Sequence, residues 1–474
     1  MTEEAPPIDM NQHPSVPIPE YQNGVPMYQS LPGAKGVLYM DFDGETTTEW
    51  NGQLIIAKKP SFTSTQIRDT WRMVAADFLP FTINVTTDLQ VFQKAAQNSR
   101  IRVIVTPTTD AQPGAGGVSF VRAWNWTGDT PSWAFNLGSS KDLAETITHE
   151  VGHALGLRHD NRQPPNGAYE EYYMGHGSGE TSWAPIMGAG VTKSVIQWSK
   201  GEYANAVNKE DDLSIITTQN NSVAYRVDDF GSNWASAAQL EIFPGGMVTN
   251  TGVIERNTDT DVFRFSTSGG RLDLVAAPAT TGANLAIQLE LIDPSEQVLI
   301  RSSPTATLRA SFATNLPPGD YAIRIRGAGR GPNPTIGFTA YGSLGYYSIT
   351  GVAGGAVEPL RFRIPENPTN NMVVGSLASL ATGPSNRRFI ATHGNGVGPF
   401  AVSASGELTV ADASPMDFEV REWMELFVDI EYPDDPSLNQ SDLRVVVHFT
   451  NVNESSTVTT TTIRVFDRTR SGTI

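Results

Sequence analysis

The stretch from Ser139 to Asp160 constrains this chain most, because one helix there must present two unlike surfaces. Wound at about 100° per residue, residues 143–155 place Leu143, Ile147, Val151, Ala154 and Leu155 on one arc. His149, Glu150 and His153 fall on the opposite arc. One face is therefore expected to pack on a sheet while the other meets a cleft. Ser139, with Asp142 three residues later, has the form of a capping box at the helix start. Gly156 supplies the stop, since glycine reaches the left-handed backbone that lets a chain turn back. His159 lies too far along to share the helical face, and it rejoins His149 and His153 only through that turn.

Three imidazoles at intervals of four and six residues are a donor set for Zn²⁺, a borderline-soft ion whose reactive sites use three protein ligands. His149, His153 and His159 are the expected ligands. Glu150 stands about 100° round the helix from His149, close enough to act on the attacking water as general base and later acid without ligating. The His-Glu-x-x-His string alone is moderately specific; the added glycine and third histidine make coincidence improbable. The chain has no cysteine, which removes disulfides, thiolate ligands and catalytic thiols.

These residues resemble the metzincin metallopeptidases, whose signature continues to a methionine turn beneath the metal. Ala184-Pro-Ile-Met187-Gly188 fits, with Met187 28 residues after His159. The resemblance implies that Met187 is an apolar floor under the imidazoles. Asp160, directly after the third histidine, is the reprolysin (adamalysin-like) pattern and implies support of that turn. Astacins and serralysins carry a tyrosine two residues past the methionine, where this chain has Ala189. The match spans about residues 36–217 and implies substrate binding by strand addition within Gly116 to Phe135. Gly188 and Gly190, with Ala189 and Val191, are expected to line the pocket beyond the scissile bond, and His176 is a further substrate-contact candidate.

The expected fold is multidomain: an α/β metzincin-type catalytic domain at 36–218, then two all-β sandwiches at 228–352 and 358–455. Residues 1–35, polar and proline-rich, read as a leader, propeptide remnant or linker, and 456–474 as a tail. The first β segment resembles the bacterial pre-peptidase C-terminal domain through Asp228-Asp-Phe-Gly231, Asp259-Thr-Asp261-Val-Phe-Arg-Phe265 and Leu316-Pro-Pro-Gly-Asp-Tyr321. That implies a jelly roll used for export or adhesion. The second resembles a cadherin repeat through Ile364-Pro-Glu366-Asn367, Gly406-Glu-Leu-Thr-Val410 and Met416-Asp417-Phe418-Glu419. Cadherins use such carboxylates for Ca²⁺, so Glu366, Asp417 and Glu419 are calcium candidates here, as are Asp259 and Asp261 in the first sandwich. Glu431-Tyr432 and Asn451 depart from the cadherin pattern. Asp41-Phe-Asp43-Gly44-Glu45 is a weaker oxygen-ligand string.

A formal charge of −17 disfavours nucleic acid and anionic membranes as partners. No segment approaches the ~20 apolar residues of a membrane span, and residues 1–36 show no signal-peptide pattern. The expected function is a secreted, bacterial zinc-dependent endopeptidase acting on protein or peptide substrates. Cell-surface or matrix attachment is expected through the C-terminal β modules. The alternative is a cell-surface adhesion protein with a minor or inactive metalloprotease domain.

Overall fold

The computed structural model describes residues 20–452, apart from Asn166, Pro244, Pro334, Thr335, 356–358, Thr382 and Glu419. The chain divides into two compact units, one up to residue 357 and one from 358 onward.

The first unit opens with a five-stranded sheet. Its strands are β1 (Gly36–Asp41), β2 (Ile83–Thr86), β3 (Arg100–Val105), β4 (Gly117–Val118) and β5 (Ser132–Ala134), in the order β2-β1-β3-β5-β4. All pairs are parallel except β4 with β5, so the sheet ends in a short antiparallel edge strand. β1 is buried along its whole length, as expected for a strand covered on both faces. Leu38 and Met40 point toward α1 (Ser64–Asp77) and α3 (Ser140–Ala154), while Val37 and Tyr39 pack with Phe92 of α2 (Leu89–Lys94). Thr63 and Gln66 form a reciprocal capping box at the start of α1. At α3 only half of the expected box forms: Ser139 accepts from the Asp142 amide.

The stretch from Val118 to Phe135 is mostly loop, holding the end of β4, a turn at Ala123–Asn125 and β5. Its aromatic residues are drawn into cores rather than into a ladder: Trp124 and Trp133 are both fully buried. Residues 20–35, expected as leader or linker, lie on the α/β part. The Ser30 amide donates to the Val85 carbonyl at 3.0 Å, and Tyr28 stacks on Trp71 at 5.0 Å.

The same unit continues into two five-stranded sheets. One runs in the order 238–239, 261–267, 319–327, 287–292, 298–302; the other 242–243, 247–254, 345–353, 270–278, 310–316. Alternate residues such as Phe263, Leu289 and Ile323 on one sheet and Leu272, Leu274 and Ile349 on the other meet in one core. Gly351 lies inside the last strand opposite Leu274. That core is continuous with the core beneath α1 and α3. The second unit pairs a four-stranded sheet (360–365, 440–450, 423–431, 388–393) with a three-stranded one (373–376, 407–410, 400–402) around Ile364, Phe389, Leu408, Leu426 and Val445.

Asp77, at the end of α1, joins the α/β part to the sandwich. Its carboxylate accepts from Thr148 Oγ1 on α3 at 2.7 Å and from Asn284 Nδ2 of the sandwich at 2.7 Å, and its carbonyl accepts from Trp198 Nε1 at 3.0 Å. Burial pushes this carboxyl up to about 7 despite both donors. A folded pKa above the unfolded value means that its stabilising contribution is full below about pH 4 and is lost as pH rises through 7. Asp77→Asn removes the charge, keeps an oxygen to accept from Asn284 Nδ2 and turns its NH₂ to the Thr148 hydroxyl, which can accept instead of donate. Relative to wild type it should gain about 1–3 kcal/mol between pH 4 and 8. Urea unfolding of the two proteins across that range reads the difference, and parallel pH profiles would refute the assignment.

Candidate metal centre

α3 ends where Gly156, at φ +109°, takes the left-handed backbone. The Gly156 amide donates to the His153 carbonyl at 2.8 Å and the Leu157 amide to the Gly152 carbonyl at 2.9 Å, which folds the chain back under its own last turn. His159 thereby returns to the helix. Its ring centroid lies 4.8 Å from that of His153 and 5.3 Å from that of His149. The three histidines present nitrogens that all lie within 4.8 Å of one another.

The Nδ1 atoms define the tautomers. His149 Nδ1 sits 3.0 Å from the Ile186 carbonyl oxygen, His153 Nδ1 2.8 Å from that of Leu157, and His159 Nδ1 3.3 Å from the Glu171 carboxylate. Each neighbour is an acceptor, so each Nδ1 carries the proton and each Nε2 keeps its lone pair. Nε2 of His153 and Nε2 of His159 then face each other at 3.0 Å, two lone pairs converging on one point. Burial, and repulsion among the rings, push His149 down to about 3; burial pushes His153 down to about 4 and lowers His159 as well. Three neutral imidazoles with convergent lone pairs fit a zinc ion.

Glu150 lies on the same helix, largely buried against the edge strand. Burial pushes its carboxyl up to about 8, and Oε2 has no hydrogen-bond partner among the described residues. Gly117 makes this position available. A Cβ there would stand 2.6 Å from Glu150 Oε1 and 2.7 Å from its Cγ. β4 therefore has to pass Glu150 as bare backbone, a requirement invisible in the motif.

Below the histidines, Met187 is fully buried, and its Sδ would lie 2.4 Å from a Cβ on Gly152. Gly152, the one glycine within α3, thus seats the methionine under the helix. Asp160 meets the Met187 turn through its backbone: its amide donates to the Met187 carbonyl at 2.8 Å. Its side chain turns elsewhere and accepts from Tyr203 Oη at 3.2 Å.

A cleft of about 710 Å³ runs along the site, bordered by residues 114–119 on one side and Gly188, Ala189, Gly190 and Val191 on the other. His149, Glu150, His153 and His159 form its floor. His176 is not among them, which corrects the expectation of substrate contact. Its Nδ1 accepts from Tyr173 Oη at 2.6 Å and its Nε2 donates to the Gly337 carbonyl of the sandwich at 2.7 Å. Two neighbours in the same loop were missed. Tyr172 covers His159 at 4.2 Å and borders the cleft, and Glu171 holds His159. Nothing in Glu170-Glu171-Tyr172-Tyr173 marks which acid or which ring faces the site.

The carboxylates of Asp41 and Glu45 converge on Arg102, together with Asp129 at 3.0 Å, so that string is an ion-pair cluster. Glu366 is buried with one carboxylate oxygen accepting from the Phe418 amide at 2.8 Å and the other from the Val452 amide. With both oxygens held by backbone amides, and with no cluster of three ligands around Glu366 and Asp417 among the described residues, the expected calcium role there is not supported. Glu419 lies outside the described residues. Asp259 and Asp261, in contrast, come together with other carboxylates.

Residues 43–160 match the family model described as metallo-peptidase family M12B, reprolysin-like. The matched segment includes all three histidines and Glu150 and ends at Asp160, before Met187. No curated protein matches the chain. Among solved structures, the third cadherin domain of human protocadherin 7 is similar at 18% identity, covering 20% of this chain and 83% of that one, with a TM-score of 0.18. The pre-peptidase C-terminal domain of a Bacillus anthracis collagenase is similar at 15% identity, covering 24% and 92%, with a TM-score of 0.17. Chicken VE-cadherin EC1-2 is similar at 14% identity, covering 38% and 92%, with a TM-score of 0.17.

Two outcomes follow from this geometry. His159→Ala should lower bound zinc, measured by mass spectrometry, far below stoichiometric; unchanged zinc would remove His159 from the ligand set. Gly117→Ala should displace the Glu150 carboxylate and lower kcat/KM on the order of 10²-fold with zinc content unchanged. Wild-type kinetics in that variant would disprove the role given to the edge strand.

Proposed function

We propose that the chain is a secreted zinc-dependent endopeptidase with a metzincin-type catalytic domain at 36–218. In this reading the two β modules at 228–352 and 358–455 are accessory. What carries it is the convergence of three neutral Nε2 lone pairs beside one buried carboxylate oxygen without a partner. The reprolysin-like match over 43–160 supports the same class. His149, His153 and His159 would hold Zn²⁺, whose Lewis acidity acidifies water and polarises a carbonyl.

The chain's own residues supply the remainder. Among the described residues Gly117 and Val118 pair only with β5, which leaves the outer edge of β4 to accept an extended peptide by strand addition. A substrate laid there passes over Glu150. Burial raises the pKa of the Glu150 carboxyl; the charge of a Zn²⁺ held by the neighbouring histidines would oppose that shift and keep it a carboxylate able to act as general base. It takes a proton from the attacking water at Oε2 and returns it to the departing amine nitrogen. The walls along β4 and Gly188 to Val191 limit solvent around this transfer, and small residues on the second wall leave room for a bulky side chain beyond the scissile bond. Secretion, and attachment through the β modules, are part of the proposal and agree with the absence of a membrane-spanning helix among the described residues.

Purified protein should cleave casein or a peptide library, lose activity with a chelator, and regain it with zinc. Glu150→Gln should keep its zinc and lose about 10²–10⁴-fold in kcat. Zinc-free wild type with full activity, or equal cleavage by wild type and Glu150→Gln, would overturn the proposal.

A further inference from the structure

The helix that carries His149 and His153 has further cleft-facing residues ahead of them. Asp142, Glu145 and Thr146 stand seven, four and three residues before His149, so they share its face of α3. All three border the cleft of about 710 Å³. At a rise of about 1.5 Å per residue, Glu145 lies about 6 Å and Asp142 about 10 Å back along the axis from His149. The other side of this end is the wall that follows Met187, Gly188 to Val191, backed by Ile196. A Cβ on Gly190 would stand 2.3 Å from Ile196 Cδ1, so the wall lies against that apolar residue only as bare backbone.

The polar groups at this end are acceptors. The Asp142 carboxylate does not close the capping box, and among the described residues it makes no hydrogen bond or ion pair. Gly138 leaves room for it: a Cβ there would stand 2.8 Å from Asp142 Oδ2 and 3.7 Å from Asn136 Oδ1, so both oxygens gather around one glycine. Thr146 uses its hydroxyl on the Asp142 carbonyl at 2.8 Å. Glu145 pairs with Lys141 Nζ, which also donates to the Val191 carbonyl at 3.3 Å. One ammonium is thus held between the helix and the opposite wall by an oxygen from each. Among the described residues that border the cleft, Asp142, Glu145 and Glu150 are acidic and none is lysine or arginine.

We propose that this end of the cleft selects a lysine or arginine side chain in the substrate residue just after the scissile bond, with Asp142 and Glu145 setting the selectivity. The proposal rests on the peptidase reading of the histidine site. The aliphatic stem of such a residue runs along Ile196 while its charged head reaches the oxygens of Asp142 and Asn136. Both lysine and arginine carry only donors, which suits a lining of acceptors. Acids are common in the first turn of a helix, where the helix dipole favours them. Here the Lys141 ammonium adds a second observation, since it already sits where a cation bridges the two walls. A substrate cation shares Glu145 with Lys141 and has the Asp142 carboxylate to itself. A substrate glutamate meets like charge instead, and an apolar side chain leaves the Asp142 carboxylate without a partner.

The test uses the full zinc-loaded chain and fluorogenic peptides that differ only in the residue after the scissile bond: arginine, lysine, norleucine or glutamate. Cleavage sites are mapped by mass spectrometry. Wild type should cleave the arginine and lysine peptides with kcat/KM about tenfold above norleucine, and glutamate should be the poorest. Asp142→Asn combined with Glu145→Gln should erase most of that ratio, chiefly through KM, at unchanged zinc content. Asp142→Glu keeps the charge and should keep the preference, which separates loss of charge from damage to the helix start. Raising the ionic strength should lower the ratio in wild type and leave it flat in the double variant. Equal cleavage of the arginine and norleucine peptides by wild type, or a wild-type ratio in the double variant, would overturn the selectivity while leaving the peptidase reading intact. If no peptide is cleaved, the peptidase reading fails, and calorimetry with dipeptide hydroxamates bearing an arginine or a norleucine side chain reads the pocket directly. Tighter binding of the arginine compound would uphold the proposal there, and equal affinities would overturn it.

Discussion

The reversal of the chain at Gly156 is the constraint on which the histidine site depends. An α-helix can place two histidines on one face at a spacing of four, but a third ligand from the same helix would stand farther along the axis. The Leu157 amide, bonded to the Gly152 carbonyl, sends the chain back alongside the helix and returns His159 to the same point. The same two residues serve neighbouring functions. The Leu157 carbonyl accepts from His153 Nδ1, and Gly152 leaves the space that Met187 fills. One helix terminus therefore positions one histidine, orients another and seats the methionine beneath both.

A second theme is how the protein handles buried polar groups. At the histidines, every Nδ1 has an acceptor, so the imidazoles are neutral and their free lone pairs point inward. Where the chain enters the sandwich, Asp229, Asp259 and Asp261 each use one oxygen on a protein donor, and the other is buried without a partner among the described residues. Asp77 is the contrasting case. Its two oxygens are each met by a donor from a different part of the chain, so it acts as a joint between α1, α3 and the sandwich. Asp41 and Glu45 are a third solution, gathered by the single guanidinium of Arg102.

The sandwich is also continuous with the α/β part in its apolar core. His176 shows how this alters a local reading. By sequence it lies between the third histidine and the methionine turn, close to the site. In space it spans from Tyr173 to the Gly337 carbonyl and belongs to the contact between the two halves.

Much of this site was legible in the residue order alone, because its information is local. Histidines four apart on a helix, a glycine where the helix must end and an apolar arc opposite are consequences of helical geometry that need no partner. The strands at Gly36–Asp41, Ile83–Thr86 and Arg100–Val105 are legible for the same reason, as short apolar runs bounded by turns. What sequence could not supply are contacts between segments distant in the chain. Gly117 passing Glu150, Glu171 holding His159, Asn284 reaching Asp77 and Asp228 meeting Asp261 each join residues whose types carry no mark of their partner. The residue order thus determined which side chains carry the histidine site. Tertiary packing alone decided which backbone and carboxylate groups surround them, because burial and hydrogen-bond partners are properties of the assembled fold.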